Sequence, residues 1–395
     1  MPENQNKKTI KTFAAASFLN DMGSDMIYPI WPLFVTTVLG ANMAILGFID
    51  GLGIAIVSIS QALSGYISDI TRKRKIFIWL GYLLGSISRV GYAFSTAWPH
   101  LIPFKVLDRF GKIRGAPRDA IVADISEEHE RGKNFGLLRA MDHLGATVGI
   151  LITIAIFTIV GYRTLFIIAA IPSLISVFLI YHYIKEPKTS HIKLHKGMTL
   201  KNITTNFRIF MISSITFALS SFSYSFLLIY AKEFGYALAF IPVLYLIFTL
   251  TASITSIPFG RLSDTIGRKK VMAVSYLLWA LVCLTLITAP GKTAILLAFI
   301  LYGLHIGALE PVQKTFVSEL SAKKYRASSL GTFQMLIGLS ALPSSVIAGL
   351  LWDRISIFAP FYFSLALTIT AIILLSFVKK DSESGQKIKN SQKPT

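Results

Sequence analysis

Two aspartates near the N-terminus stand inside a long apolar stretch, where ionisable side chains are rare. Asp21 and Asp25 are one helical turn apart, so a helix places both carboxyls on the same face. An ionisable group inside a bilayer costs a few kcal/mol unless it has a partner or a water-filled cavity. Burial favours the protonated form of a carboxyl, whereas a nearby cation favours the charged form. Either aspartate could therefore take up a proton and release it when a cation approaches.

The stretch at about residues 101–123 carries even more charge. Its ionisable residues are Lys105, Asp108, Arg109, Lys112, Arg114, Arg118 and Asp119. On a continuous helix Asp108, Lys112 and Asp119 share one stripe. Arg114 and Arg118 form a second stripe. A helix charged on two sides cannot face lipid, so we expect it to line a cavity and to contact the first or fifth apolar stretch. Arg118 and Asp119 lie near one end, where a gate role is favoured over substrate contact.

Two interpretations of these charges stay open. In the first, a proton on Asp25 or Asp21 alternates with a bound substrate. In the second, the charges form a static network of salt bridges that fixes helix packing. The two signs nearly balance, which favours mutual pairing over an open anion site. The positive set is Arg89, Lys105, Arg109, Lys112, Arg114, Arg118 and Arg139, and the negative set is Asp21, Asp25, Asp50, Asp108, Asp119 and Asp142.

The second half of the chain has few such charges. Glu310 lies near the middle of an apolar stretch, next to Pro311, and has no partner in sequence closer than Lys314. A lone histidine such as His305 is more often hydrogen-bonded packing than a ligand. Aromatic side chains could form the cavity wall here, namely Phe222, Tyr224, Phe226 and Trp279. As proton-coupling or cavity residues we therefore predict Asp21, Asp25, Arg109, Lys112, Arg114, Arg139, Asp142 and Glu310.

Apolar runs of roughly 20 residues make up most of the chain, which is 53% hydrophobic and only 15% charged. A soluble globular protein has about a quarter of charged residues, and about 20 apolar residues cross a hydrocarbon core. We predict twelve membrane spans, numbered in chain order, at about 10–38, 44–66, 76–97, 101–123, 134–159, 163–184, 207–231, 239–261, 271–289, 294–318, 329–351 and 358–378.

Basic residues gather in alternate loops, which explains the net charge of +19 without a nucleic-acid partner. One set of loops holds Arg72 to Lys75, Arg131, Lys133, Lys185, Lys188, Lys193, Lys196, Lys201, Arg268 to Lys270, Lys323, Lys324 and Arg326; the opposite loops hold only Arg163, Lys232, Lys292 and Arg354. Since cytoplasmic loops are rich in Lys and Arg, both termini are predicted cytoplasmic. Met1–Lys11 is read as a tail and not as a removable signal peptide. Cys283, the single cysteine, cannot form an intramolecular disulfide.

The second half repeats the first at a constant offset. The segment from Gly65 to Lys75 aligns with the segment from Gly260 to Lys270, because 260 − 65 = 195. The series Val122, Ser126, Arg131 and Gly136 aligns with Val317, Ser321, Arg326 and Gly331, because 317 − 122 = 195. Two matches in register predict two six-helix bundles related by an axis along the membrane normal. We predict the bundles at 1–184 and 207–378, a cytoplasmic linker at 185–206 and a tail at 379–395.

The repeated loops resemble the signature of the major facilitator superfamily (MFS), and the resemblance covers nearly the whole chain. Matching residues are Gly65, Asp69, Lys73 and Arg74 in the first copy, and Gly260, Asp264, Gly267, Arg268 and Lys269 in the second. Aspartates at helix ends can pair with basic residues or cap a helix, so such loops could hold the bundles together when the cytoplasmic side is closed. The alternative is that they only anchor helix ends. The predicted gate comprises Gly65, Asp69, Lys73, Arg74, Arg118, Asp119, Gly260, Asp264, Arg268 and Lys269.

Further pieces of the first half resemble a bacterial group of efflux-type facilitators. They are Ser24 to Pro29, Asp108 to Arg114, Pro117 to Asp119 and Arg139 to Asp142. In that family an arginine of span four serves proton coupling, and Arg109 matches it, whereas Lys112 and Ile113 depart from the motif. Gly145 and Gly149 form a close-packing pair, although Ile150 stands where the antiporters of the family have proline.

Together these features predict an all-α membrane protein of about 12 spans in two bundles, the MFS fold. The expected function is secondary transport by alternating access, with proton-coupled export of a small organic compound. The alternatives are proton-coupled uptake of a metabolite or a metal chelate such as a siderophore, and a membrane sensor on a transporter scaffold. We expect no enzymatic activity, metal site, cofactor or nucleic-acid partner. The protein is expected to work as a monomer in a bacterial inner membrane, with substrate, protons and lipid as its partners.

Overall fold

The protein is described here from a computed structural model, which covers residues 3–71, 73–127, 130–186, 204–321 and 326–379. Within these ranges every regular element is a helix. Most of the predicted linker and tail lies outside the described residues, as do Arg72, Lys323 and Lys324 and the side chains of Asp69 and Arg326.

The first bundle contains six spans. Span one is Glu3–Ile27, continued by Trp31–Leu33 and the π-helical turn Phe34–Val38; span two is Met43–Thr71; span three is Arg74–Phe94; span four is Trp98–Phe110, Gly111–Arg114 and Gly115–Ile125. The helix Arg131–Tyr183 has 53 residues, or about 80 Å at 1.5 Å per residue. That is more than twice the hydrocarbon thickness of about 30 Å. Gly161, with φ of +74°, interrupts this helix, which therefore supplies spans five and six.

The second bundle repeats this count. Span seven is Thr205–Ser220 and Ser225–Glu233; span eight is Leu238–Phe240 and Ile241–Ile266; spans nine to twelve are Arg268–Thr288, Lys292–Leu320, Arg326–Arg354 and Ala359–Ser376. Nine helical segments of the described ranges are long and apolar enough to cross a membrane. One of them is the double span at 131–183, and the charged spans one and four complete the twelve. The predicted fold class is confirmed.

Spans one, four and seven, each predicted as one continuous stretch, are interrupted, and the breaks in spans four and seven bear on the site. Span four tightens into a 3₁₀ turn at Gly111–Arg114, so the predicted stripes on one continuous helix are displaced. The turn lies where spans three and four pack closely, since a Cβ on Gly81 of span three would lie 2.4 Å from the Gly111 carbonyl oxygen. Span seven ends its first helix at Ser220 and begins its second at Ser225. Two of the residues between them, Ser223 and Tyr224, contact the other bundle.

Glycines bring span one against span five. A Cβ on Gly145 would lie 2.2 Å from the Phe18 carbonyl oxygen, and one on Gly149 would lie 2.1 Å from that of Met22. These backbones meet without intervening side chains, so any larger residue would push them apart. The predicted close-packing role of Gly145 and Gly149 is confirmed.

The two bundles touch on the side away from the repeated loops. We call this side the far side, and the side with the repeated loops the motif side. Span two packs against span eleven through a glycine seam, defined as Gly47, Gly51, Gly338 and Gly349, each of which would bring a Cβ within 2.7 Å of the other bundle. Asp353 crosses the same contact and accepts hydrogen bonds from the backbone N–H groups of Met43 (3.1 Å) and Ala44 (2.8 Å). A carboxylate at a helix N-terminus is favoured there by the helix dipole.

The bundles separate toward the motif side. Around Gly136, Gly260 and Gly331 no atom lies within 4 Å of an added Cβ. His143 and Glu310 are exposed although each lies within a span, whereas the glycine seam is closed. The interior is therefore reached from the motif side and closed from the far side.

Candidate functional site

A central cavity of about 270 Å³ lies between the bundles. The first bundle contributes its charged groups, and the second contributes aromatic rings and hydroxyls. Its lining residues are Tyr28, Asp50, Ile54, Arg109, Ser221, Phe222, Ser223, Tyr224, Tyr245 and Tyr302. Discontinuous membrane helices are a common source of such sites, and the break in span seven supplies four of these residues.

Asp50 of span two joins the two bundles at the far-side end of this cavity. Its Oδ2 accepts hydrogen bonds from the hydroxyls of Ser223 (2.8 Å) and Ser225 (2.5 Å) in span seven. Its Oδ1 accepts from the Trp31 indole (2.9 Å) and from Lys105 Nζ (3.2 Å). With four donors, this buried carboxylate is fully satisfied. We call Asp50 with Ser223 and Ser225 the far-side latch.

Lys105 supplies the countercharge of the latch. Its ammonium group lies 3.9 Å from the centre of the Trp31 ring, a cation–π contact, and the side chain is only 3% exposed. Gly53 of span two makes room for it, because a Cβ there would lie 3.1 Å from Lys105 Cε and 3.2 Å from Arg109 Cγ. The sequence placed Asp50 and Lys105 only in a charge balance and did not predict that they form a site.

Arg109 faces the cavity with part of its guanidinium unused. Its Nε lies 3.3 Å from the Asp108 carboxylate, and its Nη1 donates a long hydrogen bond of 3.3 Å to the Tyr28 hydroxyl. The guanidinium also lies 5.2 Å from the centre of the Tyr28 ring. Nη2 has no hydrogen-bond partner among the described residues. Arg109, predicted from the sequence as a proton-coupling or cavity residue, lines the central cavity.

A second cavity, of about 220 Å³, brings Asp25 and Glu310 together. It lies between spans one, five, eight and ten, and its other polar walls include His143 and Ser253, whose side chains are 3.4 Å apart. Asp25 belongs to the first bundle and Glu310 to the second. Two carboxyls from opposite bundles therefore share a cavity that opens on the motif side.

Arg89 has a structural role. Its guanidinium donates to the backbone oxygens of Ala169 (3.0 Å) and Asn20 (3.2 Å) and to the Ser24 hydroxyl (2.7 Å), and it also contacts Ser173. These bonds tie span three to spans one and six. Arg89 thus fixes helix packing through neutral acceptors and not through a salt bridge with any of the described carboxylates.

The remaining first-bundle charges divide between packing and the motif-side end. Arg114 is buried over the Tyr82 ring, with its Nη1 donating to the Gly111 carbonyl (2.9 Å). Lys112 is half-buried, and Asp21 accepts a hydrogen bond from Asn20 (2.8 Å). Arg118 of span four pairs with its neighbour Asp119 (3.0 Å) and contacts Ser17 of span one (2.7 Å) and Asp142 of span five (3.8 Å). Asp142 also lies 3.6 Å from Arg139, whose side chain is 66% exposed. The prediction that span four contacts span one or span five is confirmed.

The repeated motif residues contact their own bundle in this conformation. Arg74 pairs with Asp124 (2.5 Å), and Arg268 pairs with Asp264 and Glu319. Lys269 donates to the carbonyls of Ser376 and Val378, both at 2.6 Å. Lys73 is exposed, Gly65 faces Ala116, and Gly260 faces open space. Pairing of the motifs across the bundles stays a prediction, since the motif side is open here.

Of the four aromatic residues expected in the cavity wall, two line it. Phe222 and Tyr224 do, whereas Trp279 donates its indole N–H to Ser364 (2.8 Å) inside the second bundle and Phe226 packs at 5.9 Å from Trp352. That part of the prediction is wrong for Trp279 and Phe226. His305 is fully buried beside Ser275, as expected of packing.

Comparison with known sequences identifies the family. A sequence model of the Major Facilitator Superfamily matches residues 13–226 and again residues 208–395. The chain belongs to the Major Facilitator Superfamily. The double match reproduces the two bundles, and it makes this facilitator a multi-pass membrane transporter in the general sense of its family.

Two relatives cover nearly the whole facilitator. An uncharacterized MFS-type transporter of Methanocaldococcus jannaschii is 37% identical over 380 residues, which is 94% of this chain and 95% of the relative. The quinolone resistance protein NorA of Staphylococcus aureus is 22% identical over 375 residues, covering 92% of this chain and 94% of its own length. The predicted resemblance to efflux-type facilitators is confirmed by this similarity.

Solved structures share the fold at low sequence identity. A mutant of the nucleoside transporter NupG superposes with a TM-score of 0.78 at 15% identity, covering 94% of this facilitator and 100% of that chain. A D-xylose-proton symporter gives 0.74 at 16% identity, covering 96% and 98%. At this identity the likeness extends to the fold alone.

Proposed function

We propose that this facilitator exports a small organic compound in exchange for protons, by alternating access to the central cavity. The observation that carries the proposal is the pair Asp25 and Glu310, two carboxyls from opposite bundles in one cavity that opens on the motif side. The relative named for quinolone resistance supports the direction. The monomer suffices for this cycle, because a single chain holds both cavities.

Coupling follows from the changing surroundings of these carboxyls. With the motif side open, the Glu310 side chain is exposed and Asp25 is half-buried in the shared cavity. When the bundles close on that side, the two carboxyls lose their contact with water, and a charge without water or a partner is costly. Binding a proton from the opposite side then relieves this cost, and release follows when the motif side opens again.

The repeated motifs supply the second gate in this proposal. When the motif side closes, Arg268 and Arg74 exchange part of their present pairs for partners on the other bundle. The far-side latch and Asp353 break at the same time, so the central cavity is open to one side only. We further propose that the protein lies in the cell membrane with its motif side facing the cytoplasm. The loops on that side carry most of the loop Lys and Arg residues.

Sidedness is tested with single cysteines. Cys283 is buried, so it should not react with a membrane-impermeant maleimide. In intact cells Ile355→Cys, on the far side, is expected to label, whereas Lys73→Cys should label only after the membrane is opened. The reverse pattern would refute a cytoplasmic motif side.

Coupling and direction can be tested before the substrate is identified. Compounds inside and outside cells are compared between a deletion strain and strains that express the wild type, Asp25→Asn, Glu310→Gln or Glu233→Gln. Glu233 is the matched control, because its carboxyl lies outside both cavities and pairs with Lys232 at 3.6 Å. We expect one or more compounds to accumulate in the deletion strain and to be cleared by the wild type and the control only.

The compound found in this way is then tested in inverted vesicles with an imposed pH gradient. Export by proton exchange predicts accumulation when the vesicle interior is acidic, and loss of that accumulation in Asp25→Asn. Accumulation only in right-side-out vesicles would show uptake instead. Flux that ignores the pH gradient refutes coupling, and a wild type that moves no compound in either orientation favours a sensor.

A further inference from the structure

The central cavity has the chemistry of a site for an aromatic anion. Four tyrosines and a phenylalanine make up half of its ten lining residues. Tyr245 and Tyr302 are only 5% and 7% exposed, yet neither hydroxyl has a hydrogen-bond partner among the described residues. The unpaired tyrosine hydroxyls that are fully enclosed belong to other residues, so those of Tyr245 and Tyr302 are open to the cavity. There they can exchange hydrogen bonds with water or with a bound molecule.

The carboxylate in the cavity wall is not free to bind a cation. Asp50 already accepts four hydrogen bonds, one of them from the ammonium group of Lys105 at 3.2 Å. A positively charged ligand would have to displace these donors. The wall from the second bundle has no formal charge, since it consists of Ser221, Phe222, Ser223, Tyr224, Tyr245 and Tyr302.

Arg109 is the charged lining group with donors to spare. It shares Asp108 with other basic residues, and its own link to that carboxylate is a single contact of 3.3 Å through Nε. If the charges at the motif-side ends of the spans, around Arg118, are left out, spans one to four contain five basic and four acidic residues. Their net charge is +1 when all are ionised. The basic ones are Arg89, Lys105, Arg109, Lys112 and Arg114, and the acidic ones are Asp21, Asp25, Asp50 and Asp108. The near balance predicted mutual pairing, and Arg109 is only partly paired in the structure.

The guanidinium also lies beside the aromatic rings of the cavity wall. Arg109 lies over the Tyr28 ring at 5.2 Å, and the Tyr224 and Tyr245 rings are 5.2 Å apart. A planar fork of N–H donors matches a carboxylate in a bidentate way, and neighbouring rings favour offset or edge contact with an aromatic ligand. The volume of about 270 Å³ lies just below the range of about 300–1,000 Å³ for ligand pockets, which suits one or two rings.

We infer that the central cavity binds small compounds of one or two aromatic rings that carry a carboxylate. The carboxylate binds the Arg109 guanidinium, and the rings lie against the tyrosines. This inference rests on the proposed function and specifies the class of its substrate.

Binding is measured by calorimetry on the purified full-length protein in detergent, with four probes. They are 2-naphthoate, the uncharged 2-naphthamide, the cationic 2-naphthylmethylamine, and the non-aromatic cyclohexanecarboxylate. A hydrogen-bonded charge pair corresponds to about tenfold or more in affinity. We expect 2-naphthoate to bind at least tenfold tighter than 2-naphthamide and 2-naphthylmethylamine, and at least fivefold tighter than cyclohexanecarboxylate.

Variants assign the preference to the guanidinium. Arg109→Gln is expected to bind 2-naphthoate no better than 2-naphthamide while keeping its affinity for the amide, which shows that the cavity is intact. Arg354→Gln is the matched control, an exposed arginine at the far-side end of span eleven, and should retain the full preference. Tighter binding of the amine, equal binding of all probes, or no binding of any probe overturns the inference.

These outcomes are separate from those of the proposed function. Binding at equilibrium needs neither a membrane nor a pH gradient. A protein that binds 2-naphthoate through Arg109 but moves no compound in vesicles refutes the proposed transport alone. A protein that transports a cationic or non-aromatic compound with proton coupling, and does not prefer 2-naphthoate, refutes this inference alone.

Discussion

Removing the serine hydroxyls of the far-side latch is expected to release the far side. The double variant Ser223→Ala with Ser225→Ala deletes the two donors from the second bundle to Asp50, at 2.8 and 2.5 Å. It leaves the ion pair of Asp50 with Lys105 inside the first bundle intact. The perturbation therefore acts on contact between the bundles and not on the buried charges.

The size of the effect follows from the acceptor. A hydrogen bond to a charged group contributes about 1.5–3 kcal/mol net of solvent, so two of them contribute about 3–6 kcal/mol to the conformation that is closed on the far side. Each 1.4 kcal/mol is a factor of ten in population. The double variant should thus shift the equilibrium toward the opposite conformation by a factor of about 10² to 10⁴.

Distances between two spin labels, measured by double electron–electron resonance, check this shift. Spin labels at Thr37→Cys and Ile355→Cys, in a Cys283→Ser background, report on exposed far-side positions of the two bundles. We expect one short distance in the parent and a second, longer one in the variant. The control is Ser213→Ala with Ser214→Ala, two buried serines of the same span; the Ser213 hydroxyl bonds to the Ala371 carbonyl inside the second bundle. Distances that do not change, or that change equally in the control, would refute the reasoning.

Three further substitutions test the packing that supports the site. Gly149→Leu, whose Cβ would lie 2.1 Å from a carbonyl oxygen of span one, should lower the melting temperature of the purified protein by many degrees. The control Gly136→Leu places its side chain in open space and should leave the melting temperature unchanged. Equal losses in the two variants would contradict this account of the packing. Asp353→Ala removes the acceptor of two backbone N–H groups across the bundles. It should lengthen the same far-side distance, whereas an unchanged distance excludes a role in closure. Arg89→Gln should lower the free energy of unfolding in denaturant titrations by about 1–3 kcal/mol for each buried acceptor left unpaired, and a variant as stable as the parent would count against a structural Arg89.

The sequence predicts the spans well because apolar length is a local property. Its limits appear where helices break. Span seven was predicted as one helix over 207–231, but it is interrupted after Ser220. The interruption turns Ser223 and Ser225 toward Asp50, 173 and 175 residues away in the chain. A break stabilised by so distant a partner leaves no periodic signal in its own segment.

The site was predicted in part for a similar reason. Asp25, Glu310 and Arg109 were recognised because a charge inside an apolar run is conspicuous by itself. The pairing of Asp50 with Lys105 requires the rotation of two spans about their axes, and composition does not determine that rotation. Trp279 and Phe226 show the same limit, since every aromatic residue in a membrane helix has the same local signal whether it faces a cavity, lipid or a neighbouring helix.

The glycine seam between spans two and eleven bears on how quickly the bundles can part. Interdigitated side chains would each have to change rotamer before two helices could separate. At Gly47, Gly51, Gly338 and Gly349 backbone lies against backbone or a short side chain, so no such rearrangement is required. The activation barrier for opening the far side is then set by the polar bonds at the ends of the seam. Evolution could tune the turnover rate by changing a few hydroxyls, without redesigning the helix contact.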